Sequence, residues 1–342
     1  MIEIVALNDP RMTDSHWQAL QSLLDNLRLR FDSFYPEISW RKIKEQKLSL
    51  LKTDPHQHIY VAVNGDNVVG YITSGGRNIG QPDQSLYLYM DADFENVPRE
   101  YSLAVAAEMV RLLENYGISE IEYVSNSKRM SQPVDRWHGT QLNILNRYRL
   151  IRKAANNGVI ERWLENIPER NGDMRLEFYE IMPENYLEQY AELYSRLLSE
   201  MPQEGDGNKE YHVTAEEIRM YEEWRRKNHR HQYYFLLHDR GDNITGFSNA
   251  NIDDLDPTEV YQSLTGVIGG YRGRGLSKWL KAALFEKIGE DFPDNKVMIT
   301  DMRAVNEPIQ KVNAQIGYEL VGEGGEFRVT LENLRAALSD GG

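Results

Sequence analysis

The feature that most limits how this chain can fold is an internal repeat. Ile59–Val63, the turn Asn64-Gly65-Asp66-Asn67 and the run Val68-Val69-Gly70-Tyr71-Ile72-Thr73 have a counterpart later in the chain. It is Tyr233–Leu237, then Gly241-Asp242-Asn243, then Ile244-Thr245-Gly246-Phe247. Each is a pair of short β runs joined by a Gly-Asp-Asn turn, a strong hairpin signal. Gly70 and Gly246 are 176 residues apart (246 − 70). The same shift lays Ile121–Val124 on Val297–Thr300 and a helical pattern over 101–116 on one over 277–290. Arg147-Tyr148 matches Gly317-Tyr318 only at a shift of 170 (317 − 147), which implies about six extra residues in the first copy. Both copies open with a strand and a helix, at 1–30 and 175–201.

Two domains follow, which suits 342 residues at roughly 100–200 per domain. The expected division is 1–153, a linker over 154–174, and 175–342. Asn156-Asn157-Gly158 ends the first domain, a short amphipathic piece carries Val159, Ile160, Trp163 and Leu164, and Pro168–Asp173 is linker-like in composition. Strands alternate with helices, yet the hairpins demand antiparallel pairing. Each half is expected to be α/β in the α+β sense, a mixed and mostly antiparallel sheet flanked by helices.

Composition narrows the chemistry. The chain has no cysteine, which excludes disulfides, thiolate metal sites and a cysteine nucleophile, and fits a cytoplasmic protein. A net charge of −14 opposes general binding to nucleic acid and favours a cationic acceptor such as an amine. No apolar run approaches the ~20 residues of a membrane span, and Met1–Val5 has the pattern of a first strand, not a signal peptide. No metal site and no membrane partner are expected. The oligomeric state is open between monomer and homodimer.

Gly269-Gly270-Tyr271-Arg272-Gly273-Arg274-Gly275-Leu276-Ser277 lies between a strand pattern ending at Val267 and a helix marked by Leu280, Ala283, Leu284 and Ile288. Strict alternation would put Tyr261, Ser263, Thr265 and Val267 on one face of that strand. A glycine-rich turn that feeds a helix start aligns unpaired N–H groups toward an anion, and Arg272 and Arg274 add charge. The other reading is a tight strand-to-helix connection without a ligand. A Walker loop is excluded because Leu276-Ser277-Lys278 follows Gly275, and a dinucleotide fingerprint because Lys278 stands at the third glycine.

The run Arg272-Gly273-Arg274-Gly275-Leu276-Ser277 resembles the coenzyme-A signature Arg/Gln-x-x-Gly-x-Gly/Ala of the GCN5-related N-acetyltransferase (GNAT) family. Thr265-Gly266-Val267 resembles the strand that runs beside the pantetheine arm. Asn306, Pro308, Ile309, Val312, Asn313, Ile316, Gly317 and Tyr318 resemble the family's Asn-x-x-Met/Ala-x-x-Ile/Leu-Asn/Tyr-x-x-Leu-Gly-Phe segment. The likeness covers 175–333 by motif and 1–150 by repeat and element order, as in tandem-domain members. It implies acetyl-CoA or another acyl-CoA as donor, held by Thr265, Gly266, Val267, Arg272 to Ser277 and Asn306. It also implies direct transfer to a small amine, with the N–H of Val267 as an oxyanion donor. Three departures stand out. Gly269-Gly270 replaces Pro-Glu, Ser277 takes the last small position, and Asn313 occupies the place of a tyrosine general acid. In the first copy, Glu95–Tyr101 falls where 271–277 stands; it has no glycine and carries two carboxylates, so this copy should not hold coenzyme A.

Removing the proton of an alkylammonium needs a base, since its pKa is near ~10.4. By family position that base is Glu259, and the alternative for Glu259 is a solvated carboxylate at a strand start. Glu204 and Asp206 in Met201–Gly207 could receive a cation, or be merely exposed. Glu216-Glu217 and Glu222–Lys227 suggest a solvated helix face, and His229 and His231 a surface turn. The rival to a transferase is an acyl-CoA-binding regulatory or scaffolding protein without turnover. Acylation of a hydroxyl or a protein lysine is a further possibility.

Overall fold

The structure, a computed structural model, describes residues 2–31, 39–77, 79–80, 84–92, 99–125, 136–204, 210–254 and 257–340. The chain forms two compact units, Met1–Asn146 with Gly322–Gly342, and Arg147–Val321.

The first unit holds β1 (Glu3–Ala6), α1 (Asp14–Phe31), α2 (Trp40–Thr53), β2 (Gln57–Asn64), β3 (Asn67–Arg77), β4 (Ser85–Ala92), α3 (Arg99–Tyr116) and β5 (Glu120–Ser125). Strand β6 (Thr140–Ile151) begins in this unit and ends in the second. The second unit continues with α4 (Asn157–Arg170), β7 (Arg175–Tyr179), α5 (Glu184–Ser199), α6 (Ala215–Lys227), β8 (Arg230–His238) and β9 (Ile244–Asp253). There follow β10 (Glu259–Val267), α7 (Leu276–Asp291), β11 (Val297–Arg303) and α8 (Glu307–Ile316). Strand β12 (Glu319–Thr330) starts in the second unit and returns to the first, where α9 (Leu331–Asp340) ends the described chain.

The two units repeat one pattern. In the first, β1, β2, β3 and β4 pair antiparallel in turn, and β4 pairs parallel with β5. In the second, β7, β8, β9 and β10 pair antiparallel and β10 pairs parallel with β11. The sheets are mixed and mostly antiparallel, with helices packed on them. Both repeat hairpins turn at left-handed residues, Gly65 (φ 62°) and Asp242 (φ 62°). Apolar residues of β4, α3 and β5 form one core of the first unit. Those of α4, β8, β10 and α7 form one core of the second.

The division departs from the expected one in two places. Residues 154–174 are not an extended linker. They contain α4, whose Ile160, Trp163 and Ile167 are buried in the core of the second unit. And 322–342 do not complete the second copy: β12 pairs antiparallel with β5 over Gly325–Thr330, and Phe327, Val329, Leu334 and Ala337 enter the first unit's core. The last strands correspond at a shift of 179 (319 − 140), so the first copy is not longer there. The match of Arg147-Tyr148 to Gly317-Tyr318 is one of letters only, because the first pair lies inside β6 and the second precedes β12. Composition could not reveal this, since strands of either copy carry similar patterns.

Leu334→Ala should therefore cost ~2–5 kcal/mol and loosen the first unit. Amide exchange should rise in Arg99–Tyr116; a rise confined to Leu276–Asp291 would contradict the assignment.

Candidate functional site

The site is built where β10 meets α7. Strands β10 and β11 pair over Glu259–Tyr261 against Val297–Ile299, after which β10 runs on to Val267 and β11 to Arg303 without further paired register. Against β9 the register of β10 shifts between Gln262 and Thr265. Gln262 opposes Ala250 and Thr265 opposes Ser248, so Ser263 and Leu264 both face the single Asn249. This is a bulge of one residue. Asn249 anchors it by accepting the N–H of Leu264 at 2.8 Å.

The bulge corrects the expectation that Tyr261, Ser263, Thr265 and Val267 share a face. Ser263 accepts from Asn251, which pairs with Tyr261, so Glu259, Tyr261 and Ser263 stay together. Thr265 instead bonds Ser248 at 2.7 Å on the opposite face, and Val267 packs in the α4–α7 core. At Gly266 a Cβ would lie 2.7 Å from the Leu197 side chain, which would have to shift to admit it.

The turn after β10 is tied down by side chains, while the N–H groups of its second half stay unpaired. Tyr271 donates to Asp239 at 2.7 Å, and Asp239 also accepts from the N–H groups of Gly241 and Asn243. Those bonds, the Asn243 N–H first among them, hold its carboxyl down at about 2. Gly273 (φ 80°) and Gly275 (φ 83°) adopt left-handed backbone that side chains disfavour. Among the described residues, no backbone N–H from Gly273 to Ser277 has a partner within the chain. Gly275 caps α7, and a Cβ on Gly273 would meet nothing within 4 Å. Five unpaired donors at the start of a sixteen-residue helix, beside open space, fit a diphosphate.

The two arginines are already engaged. Arg272 donates to the carbonyl of Val267 at 2.8 Å and pairs with Glu200 at 2.6 Å. Arg274 donates to Asn171 at 2.8 Å and pairs with Asp173. Both pairs are partly exposed, so breaking either costs only about 0–1 kcal/mol. Leu276 is buried and Ser277 half-buried on the first turn of α7.

The candidates around the parting strands are Glu259, Asn306 and Asn313. Asn306 precedes α8 as its N-cap residue and makes no side-chain cap. Asn313 on α8 is fully buried; its amide reaches Met302 Sδ at 3.9 Å, and its Oδ1 has no hydrogen-bond partner among the described residues. Glu259 opens β10 close to Arg147, which holds Asp301 with two bonds of 2.8 and 2.9 Å. Burial opposes the charge of Arg147, yet Asp301, Tyr261 and Glu259 raise its pKa on balance.

A polar cluster that sequence reasoning missed lies beneath the bulge. Lys281 of α7, 3% exposed, donates to Gln262 Oε1 at 2.7 Å, and Tyr318 donates to the same oxygen at 2.9 Å. Gln262 Nε2 reaches Ser248 at 3.3 Å and Thr265 at 3.4 Å. Burial alone pulls the Lys281 ammonium down to about 7. The signal was a lysine at the helix position between Leu280 and Leu284, inside a run that is otherwise apolar.

Elsewhere, Glu204 is described, while Asp206 and Gly205–Gly207 lie outside the described residues, as do Glu95 to Pro98 of the first copy. There Tyr101 takes the place of Ser277 (277 − 176), fully buried, and Gly70 abuts its ring so closely that a Cβ would lie at 2.4 Å. Glu223 pairs with Lys227 and Glu216 with Arg219 on α6, while His231 pairs with Asp254. Among the described residues no group of three or more metal-ligating side chains occurs and no helix is long and apolar enough to cross a membrane. A surface cavity of about 370 Å³ in the first unit is lined by Trp17, Leu48 and Lys52 among others, and by none of the turn residues.

The lysine has a consequence for stability. The unfolded chain keeps the Lys281 proton up to about 10.5, the folded chain only to about 7. Below 7 both forms hold it and the cost of the buried charge is full. Stability should rise as pH climbs from 7 to 10.5 and the folded state sheds it. Lys281→Met should flatten that rise, measured by urea unfolding at pH 7, 8.5 and 10. An unchanged slope would place the charge elsewhere.

No family model matches the sequence, and no curated protein matches it. Solved structures do. A tandem GNAT protein from the clavulanic acid biosynthesis pathway aligns at TM-score 0.69 and 16% identity, over 97% of this chain and 99% of that one. A GCN5-related N-acetyltransferase from Sphaerobacter thermophilus aligns at 0.60 and 12%, over 96% of both. The GCN5-related glucosamine N-acetyltransferase region of a fungal multi-domain GH3 β-N-acetylglucosaminidase aligns at 0.63 and 11%, over 96% of this chain and 38% of that one. The chain thus has the fold of the tandem GNAT proteins.

Proposed function

We propose that the second unit binds acetyl-CoA at the Gly273–Ser277 turn and transfers the acetyl group directly to a small, cationic amine. The observation that carries this reading is the row of unpaired N–H groups at the start of α7, beside strands that part after Tyr261 and Ile299. The diphosphate would lie against those donors, with Arg272 and Arg274 turning from Glu200 and Asp173 to meet it. Thr265, Gly266 and Val267 would border the pantetheine arm, and Asn306 would stand at the edge of the same groove.

In the transfer the amine lone pair attacks the thioester carbon, and the carbonyl oxygen takes the negative charge. Val267 stands eight residues along β10 from Glu259 (267 − 259), about 26 Å. The donor that receives the charge would therefore be a β10 N–H nearer the bulge between Gln262 and Thr265, not that of Val267. Glu259 would take the proton of the ammonium. Collapse returns the electron pair to the carbonyl and expels the thiolate, and the second proton of the attacking nitrogen passes through water to the departing thiolate, leaving a neutral amide and free thiol. Asn313 carries no acidic proton, but a thiol of pKa ~8.5 leaves readily as the thiolate. Its unpaired Oδ1 can instead accept a hydrogen bond and orient a donor. The first unit would act as a brace without coenzyme A. That reading is supported by the fully buried Tyr101 and by Glu100, an acidic residue in the first turn of the corresponding helix. The protein would work in the cytoplasm, as a monomer or homodimer.

The amide at Asn313 also favours a second reading, an acyl-CoA-binding regulatory protein without turnover. Release of free thiol from acetyl-CoA with a panel of amines separates the two, since a binder releases none.

Two variants test the site. Ser277→Glu adds a carboxylate to the first turn of α7, worth about 0.3–1 kcal/mol to the helix, so the fold should hold. Acetyl-CoA affinity should fall at least about tenfold, one decade per ~1.4 kcal/mol of repulsion; unchanged calorimetric affinity would remove the turn from the binding site. Glu259→Gln should lower kcat by about 10²-fold or more without altering acetyl-CoA affinity. Full activity would return Glu259 to the solvated surface.

A further inference from the structure

The bulge in β10 is not held by β9 alone. On the face opposite Asn249, the single oxygen of Gln262 receives both Lys281 and Tyr318, and its amide spans to Ser248 and Thr265 across the extra residue. The ammonium also lies 5.6 Å from the centre of the Tyr318 ring. Lys281 thus links α7, the helix that begins at the Gly275 cap, to the strand that ends at Val267. A surface role for this lysine is excluded by its burial, and it has no carboxylate partner in the described hydrogen bonds.

We propose that Lys281 is a positioning residue: through Gln262 it holds the Ser263–Leu264 bulge in the shape that presents the β10 backbone to an acyl thioester. The proposal rests on the acyl-CoA reading given above. Its pH dependence follows from what faces the lysine. β10 offers the neutral Gln262, which bonds the neutral Ser248 of β9. The segment before β12 offers Tyr318, whose hydroxyl burial makes harder to ionise. The α4 residues in this core, Ile160, Trp163 and Ile167, carry no charge. No charged group contributes to the shift of Lys281, for which burial is the whole cause. An ammonium with no counter-charge draws water toward itself, so the cluster should loosen once the amine is protonated.

The test compares wild type, Lys281→Met and Lys281→Gln by amide exchange of the Gln262–Val267 segment and by calorimetric titration with acetyl-CoA, at pH 6, 7 and 8. Methionine keeps the volume without a donor, whereas glutamine keeps a neutral donor. At pH 8, Lys281→Met should exchange faster in that segment and bind about fivefold more weakly, the value of one lost hydrogen bond. Lys281→Gln should stay within about twofold of wild type, as one neutral donor replaces another. From pH 8 to 6 the wild type should lose affinity beyond what both variants lose. Equal exchange and equal pH profiles in wild type and Lys281→Met would overturn the role of Lys281. A wild type that binds no acetyl-CoA would overturn the acyl-CoA reading, while the exchange comparison still decides whether Lys281 holds the bulge. Unfolding midpoints report folding separately, and Lys281→Met should be no less stable than wild type at pH 7.

Discussion

Between Gln262 and Thr265, β10 carries one residue more than β9 opposite it, and that extra residue sets the geometry of the second unit's site. It reverses the facing of the strand in mid-course, so that Glu259, Tyr261 and Ser263 look one way while Thr265 and Val267 look the other. It falls where β10 and β11 stop pairing, and a bulge adds twist that helps two parallel strands part. Asn249 holds it on one face, and Gln262 with Lys281 and Tyr318 on the other. Polar groups so deeply placed stabilise only when satisfied, and the cluster satisfies them from four separate elements.

The two copies of one pattern differ at the start of the helix after the fourth strand. At the helix start of the second unit, left-handed glycines keep side chains out and leave N–H groups unpaired. At the equivalent point of the first, Tyr101 is buried against Gly70 and Glu100 offers a carboxylate to the helix dipole. The arginines of the second turn are less decisive than their charges suggest, because Glu200 and Asp173 neutralise them in the resting arrangement.

Much of this was legible in the residues. The hairpins announced themselves through Gly-Asp-Asn turns, and the shift of 176 placed α3 against α7 and β5 against β11 within a residue or two. The glycine turn was legible because the left-handed backbone at 273 and 275 favours glycine. The bulge was not, since alternation of Tyr261, Ser263, Thr265 and Val267 continues across it, and only pairing with β9 reveals the slip. The return of β12 to the first unit escaped for a similar reason: partner choice among β strands is made by three-dimensional packing, which Phe327 and Val329 achieve against Tyr123 and Ile121. Lys281 carried a signal, a charge inside an apolar helical run, whose weight depends on knowing that α4 covers the other side of α7.

The central claim is that the Gly273–Ser277 backbone holds the diphosphate of an acyl-CoA. Amide exchange with and without saturating coenzyme A measures those N–H groups directly. The account predicts slowed exchange at Gly273 to Ser277, extending to Thr265–Val267, with Arg99–Tyr116 unchanged. Binding that leaves Gly273–Ser277 exchanging at its free rate would contradict it, and would place the ligand on another surface of the protein.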